Sequence, residues 1–144
     1  MKKYKRGYAS GVFDMFHIGH LKILQQAKEM CDFLVVGVNT DDLVFIRKNK
    51  HPVIPYGERT DIVRAIRYVD LVVEAGIPEH QYVNAIKYDC NAVFDGDDWK
   101  GTEKMNILEE RLKPHGVEIV YFPYTKDISS TILRDKSSDA ADES

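Results

Sequence analysis

Short, nearly unbroken apolar runs alternate along this chain with stretches of helical period. Strand-like runs fall at Gly7–Phe13, Phe33–Asn39, Leu71–Glu74, Ala92–Asp95 and Val117–Phe122. Helix-like runs fall at about Gly19–Met30, Gly57–Ile66, Glu79–Tyr88, Thr102–Leu112 and Ser129–Asp135. In the first of these, Leu21, Ile23, Leu24, Ala27, Met30 and Cys31 recur at the spacing of one helical face. The runs Phe33–Val38 and Val117–Tyr121 are rich in β-branched residues, which suit a pleated surface. Continuous apolar runs suit parallel strands covered on both faces. Repeated strand–helix alternation therefore predicts an α/β fold: a Rossmann-like, doubly wound parallel sheet of about five strands in a single domain. Ligands of such sheets bind beyond the carboxyl ends of the strands.

The first strand-to-helix turn carries the most specific chemistry. It reads GVFDMFHIGH, Gly11–His20, with His17 and His20 three residues apart around Gly19. The first N–H groups of a helix lack intrahelical partners, and the helix dipole is positive there. Gly19 lets an anion approach the backbone closely, and two imidazoles at this spacing reach one small volume as donors to phosphate oxygens. A lone His at a helix start is more often a cap or a solvated side chain. HxxH is also half of a zinc pattern. The remaining candidate ligands, His51, His80, His115, Cys31 and Cys90, have no paired spacing, so no protein metal site is assigned. Phosphate chemistry is the better reading of the turn.

Composition narrows the partners. The chain has 144 residues, 44% hydrophobic and 30% charged, with a formal net charge of −3. That balance argues against general nucleic-acid binding, which leaves a basic face, but a local basic cluster still serves a small anion. No apolar run approaches the roughly 18 residues of a membrane span. The basic start, MKKYKR, lacks the apolar region of a secretory signal. The two cysteines lie in apolar or helical contexts, which suits reduced core thiols and a cytoplasmic setting. Residues 1–135 read as one nucleotide-binding domain. Residues 136–144, KSSDAADES, have no bulky apolar side chain and read as a disordered tail.

Three further segments fall at loops. RKNKHPVIP, Arg47–Pro55, is a basic proline-containing connection. DGDDWKG, Asp95–Gly101, follows a strand and combines glycines, carboxylates for ribose hydroxyls or a metal, and an indole face for stacking. YTKDISST, Tyr124–Thr131, offers Ser129 as an N-cap and a second cluster of phosphate-facing donors. Taken singly, each has an ordinary structural reading: a solvated connection, an acidic turn anchored by Trp99, simple capping.

Taken together, the chain resembles the cytidylyltransferases of the HxGH nucleotidyltransferase superfamily, over about Gly7 to Leu133. GVFDMFHIGH marks the superfamily. VVGVNTDD (Val35–Asp42), Glu58-Arg59, RYVD (Arg67–Asp70), GDDWKG (Gly96–Gly101) and ISST (Ile128–Thr131) support the branch that acts on glycerol 3-phosphate. The resemblance implies in-line attack of an alcohol phosphate on the α-phosphorus of CTP, giving a CDP-alcohol and pyrophosphate for cell-surface polymer synthesis. Mg²⁺ would arrive with the CTP phosphates, and the protein would be a homodimer. Such chemistry depends on positioning and electrostatics.

By motif match, His17, His20 and Lys50 would be catalytic. Gly11, Val12, Phe13, Asp14, Gly19, Arg59, Gly96, Asp97, Asp98, Trp99, Thr125, Ser129 and Ser130 would line the nucleotide. Arg47, Arg67, Tyr124 and Lys126 would meet the acceptor. One departure concerns that acceptor: Tyr124 and Asp127 stand where the family's closing motif has arginine and glycine. Phosphoethanolamine, phosphocholine or another polyol phosphate, ATP in place of CTP, and a non-catalytic nucleotide-binding module are the alternatives.

Overall fold

The computed structural model describes residues 2–123. Five strands, all parallel, form one sheet in the order β3-β2-β1-β4-β5. They are β1 (Tyr4–Gly11), β2 (Cys31–Asn39), β3 (Leu71–Ala75), β4 (Ala92–Gly96) and β5 (Glu118–Phe122). The helices are α1 (Ile18–Met30), α2 (Asp41–Lys48), α3 (Tyr56–Arg64), α4 (His80–Lys87) and α5 (Glu103–Leu112). The chain runs outward from β1 to β3, returns beside β1 as β4, and continues to β5. The strand order therefore reverses at β1 and β4, which is where a doubly wound sheet opens its ligand crevice.

Two apolar cores lie on opposite faces, as alternation along each strand dictates. Ala9, Leu34, Val36, Val38 and Phe94 face Leu24 and Ala27 of α1 and Val63 of α3. Tyr8, Val35, Val73 and Val93 face Ala85 of α4 and Met105, Leu108 and Leu112 of α5. Cys31 belongs to the first core and Cys90 to the second, both as buried free thiols. Burial pushes the Cys90 thiol up to about 12, so it stays protonated.

The sequence reading places all five strands. It differs at their ends: β1 starts at Tyr4 and stops at Gly11, two residues before Phe13. It also misses α2, which follows β2 after the single residue Thr40 and carries only two buried apolar side chains, Leu43 and Val44. The helix is made by its ends. Thr40 caps it by accepting from the Leu43 N–H at 3.1 Å, Asp41 and Asp42 fill the first turn, and Arg47 and Lys48 fill the last. Arg47 thus belongs to a helix rather than to the basic loop. The helix read at Ser129–Asp135 lies outside the described residues, as does the tail. Among the described residues, no helix is long and apolar enough to cross a membrane.

Candidate active site

The turn from β1 into α1 holds the two histidines with their rings close together, centroids 4.0 Å apart. His17 is the N-cap of α1, and its Nδ1 accepts the Gly19 N–H at 3.0 Å. In return, the His17 N–H donates to His20 Nδ1 at 3.2 Å. The pair forms a reciprocal capping box built from imidazoles, in which side chains satisfy N–H groups the helix leaves over. An Nδ1 that accepts an N–H carries no proton, so both rings hold theirs on Nε2. His20 is buried and packs against Phe13 and Phe16, at ring distances of 5.5 and 5.3 Å. The sequence reading expected the Gly19 N–H to meet a phosphate. Here it is committed to His17, so the ring Nε2–H groups are the donors that the turn can offer an anion.

Around this turn the structure sorts the other expected residues. Gly11 ends β1, while Val12, Phe13 and Asp14 are all buried. The Asp14 carboxylate accepts the Val53 and Ile54 N–H groups, both at 2.8 Å. The buried Arg59 guanidinium donates to Ile54 O (2.8 Å), Val12 O (2.7 Å), Asn39 O (2.8 Å) and Asp41 Oδ1 (2.5 Å). Asp14 and Arg59, expected to touch the nucleotide, are thus taken up inside the protein. Lys50 stands on the exposed segment between α2 and α3, three residues before Val53.

On the neighbouring strand, the Gly96–Gly101 segment leaves β4 at the same edge. Asp97, Asp98 and Trp99 form an exposed 3₁₀ turn, with the Lys104 ammonium 5.4 Å from the indole ring. A Cβ on Gly96 would lie 2.5 Å from the Asp98 carboxylate, the end of an exposed side chain that folds back over this glycine. Arg67 is placed elsewhere. It lies between α3 and β3, where Asp70 accepts the Leu34 N–H at 2.8 Å and pairs with Lys28, at the amino ends of the strands. Arg67, expected to meet the acceptor, thus lies at the opposite edge of the sheet from the histidine turn of its own chain. Tyr124, Thr125, Lys126, Ser129 and Ser130 lie outside the described residues. No group of three His, Cys, Asp or Glu among the described residues could hold a metal ion.

The α4 face of the same edge carries polar groups that sequence reasoning missed. Tyr8 Oη lies 2.9 Å from His80 Nδ1 and accepts from Asn84 Nδ2 at 3.1 Å. Gln81 Nε2 donates to Asp95 at 3.0 Å, and Arg47 Nη2 donates to Pro78 O at 3.3 Å. Burial, then the nearby Arg47 and Lys104 charges, push His80 down to about 3, so it is neutral. Burial likewise raises the Asp95 carboxyl, while Gln81 and the Gly96 N–H favour its ionised form. A single polar residue inside a strand, Tyr8 or Asp95, was the available signal.

The chain matches the cytidylyltransferase-like family model across residues 8–136. It belongs to the cytidylyltransferase-like family. Glycerol-3-phosphate cytidylyltransferase of Bacillus subtilis (strain 168) is 34% identical, over 92% of this chain and 96% of that protein. FAD synthase of Thermococcus kodakarensis is 39% identical, over 85% of this chain and 83% of its own length. A lipopolysaccharide core biosynthesis protein from Thermoplasma volcanium GSS1 shares the fold at a TM-score of 0.69 and 25% identity, over 85% and 98% of the two chains. This cytidylyltransferase-like chain is a nucleotidyltransferase enzyme, with its histidine turn at the edge where the family fold opens.

Proposed function

We propose that this nucleotidyltransferase moves CMP from CTP to a glycerol phosphate, giving a CDP-glycerol and pyrophosphate that serve cell-surface polymer synthesis. The observation that carries the reading is the paired imidazoles of His17 and His20, both protonated on Nε2 at the start of α1. One oxygen of the acceptor phosphate attacks the α-phosphorus of CTP. The bond from that phosphorus to the bridging oxygen breaks, and pyrophosphate leaves with the electron pair. Negative charge must be held throughout on the α-phosphate and the leaving group, which is the work of fixed donors. His17 and His20 supply such donors, and Lys50 supplies a cation. Asp97, Asp98 and Trp99 supply hydroxyl acceptors and a stacking face for the nucleoside. Mg²⁺ bound to the triphosphate would neutralise charge there.

The GDDWKG and RYVD segments favour glycerol phosphate, and the B. subtilis cytidylyltransferase supports it through its extent of match. FAD synthases are equally near in identity, so the test must compare the two chemistries. Pyrophosphate release is measured with CTP, ATP, UTP and GTP, each against glycerol 1-, 2- and 3-phosphates, phosphoethanolamine and flavin mononucleotide. The expected result is highest kcat/KM for CTP with a glycerol phosphate. Preference for ATP with flavin mononucleotide would overturn the reading. A homodimer is part of the same proposal, with Arg67 and Tyr68 as contact residues. Sedimentation showing only monomer at micromolar concentration would remove it.

A further inference from the structure

The histidine turn is held by an arrangement that reaches well outside it. Phe13 and Met15 both adopt left-handed backbone angles, φ 55° and 50°, which side-chain-bearing residues rarely do. Two such residues flanking Asp14 persist only where their surroundings over-determine the conformation. The surroundings are visible. Each Asp14 oxygen takes one backbone N–H, from Val53 and from Ile54. The Ile54 carbonyl accepts from Arg59 Nε, so this residue is gripped through both of its backbone groups. The rest of the Arg59 guanidinium spans Val12 O after β1, Asn39 O at the end of β2, and Asp41 in the first turn of α2. Asp41 also accepts the Tyr56 N–H at the start of α3, at 3.4 Å.

We propose that Asp14 and Arg59 are positioning residues, a brace that fixes the Lys50 segment against the histidine turn. The proposal rests on the transferase reading for what Lys50 does. Asn49 ends α2 in a left-handed cap, φ 55°, and the chain is tied again at Val53 and Ile54. Lys50 lies in the short span between those two fixed points, so its reach is set by where the second tie holds. Direct contact with a nucleotide suits neither residue. The Asp14 carboxylate is 1% exposed and would repel a triphosphate, whereas each of its oxygens accepts a backbone N–H. Arg59 is also 1% exposed, and a buried guanidinium is tolerable only with its hydrogen bonds made inside the protein.

A double-mutant cycle tests the brace through Lys50. Asp14→Asn keeps one acceptor oxygen and is expected to lower kcat by about 10- to 100-fold, the scale of a displaced catalytic group. In a Lys50→Ala background the same substitution is expected to change kcat less than about threefold, because the group being positioned is gone. Full additivity of the two losses would overturn the proposal. Amide hydrogen exchange gives a second readout that needs no turnover. Exchange across residues 49–55 should accelerate in Asp14→Asn, with residues 103–112 of α5 unchanged. Uniform acceleration across the chain would mean general destabilisation and would also overturn the brace. If no substrate pair turned over, the transferase reading would fall, and exchange at 49–55 alone would decide the brace. If Asp14→Asn did not fold, Asp41→Asn, which loosens Arg59 from the α2 side, takes the same two readouts.

Discussion

On the α1 side of the sheet, His17 and His20 commit Nδ1 to backbone N–H groups and keep Nε2 as a donor. On the α4 side, His80 is buried, with its Nδ1 against the Tyr8 hydroxyl. The same residue type serves a helix terminus in one place and a core network in the other. Chemistry follows from what surrounds the ring. The first pair occupies a strand–helix turn, where the leftover N–H groups of a helix need partners. His80 occupies the first turn of α4, where it is pressed between that helix and β1, out of water.

The largest break in this comparison is kinetic. His17→Ala and His20→Ala are each expected to lower kcat by about 10²–10⁴, with much smaller changes in the KM for CTP, since donors aimed at developing charge act in the transition state. His80→Gln should leave kcat within about threefold, as expected of a group outside the transfer chemistry. Steady-state kinetics of the three variants checks both halves, and wild-type-like turnover in either α1 variant would sink the assignment.

A second break is steric. A Cβ on Gly37 would lie 2.0 Å from Tyr8 Oη. Gly37→Ala should therefore cost about 1–3 kcal/mol by overpacking, and Tyr8→Phe in the same chain should recover part of it. Urea denaturation measures both. Additive losses would show that the Tyr8 hydroxyl is not what the new methyl group meets.

The remaining break is in the response to pH. His80 has a native value of about 3 against 6.5 in the unfolded chain, because burial opposes its charge. Between those values the unfolded chain binds a proton that the native fold does not. This contribution to stability is intact above about pH 6.5 and is lost as pH falls toward 3, with a slope of at most about 1.4 kcal/mol per pH unit. His80→Gln should flatten the acid limb of the stability curve. Identical limbs in both proteins would show that His80 does not govern it.

Much of the fold was legible because its strands are short apolar runs set between helical ones. Leu34–Asn39 is buried on both faces, with no polar face to confuse with a helix or a loop. The half-buried edge strand Glu118–Phe122 still reads as apolar and β-branched, and the helices between the strands require a parallel sheet. The histidine turn was legible for a related reason: its residues are close in sequence, so capping and spacing can be read directly. Arg59 was not. Its motif places it on a helix beside Glu58, and nothing local indicates that Val12, Asn39, Asp41 and Ile54 converge on it. The end of the sheet at which Arg67 lies was legible in the alternation itself, since a helix-to-strand connection in a parallel sheet enters at the amino ends of the strands.

The sequence by itself determined the alternating elements, the sheet they imply, and a turn with two donors at a helix start. Each rests on interactions within about ten residues, where periodicity and capping rules apply. Only the tertiary structure decided which charged groups face the site and which are consumed as supports. Asp14 reaches residues 39 and 40 positions away, and Arg59 reaches 47 positions back to Val12. A buried charge takes its partners from whatever the packed chain brings within hydrogen-bonding distance, and that is fixed only when the sheet and its helices are assembled.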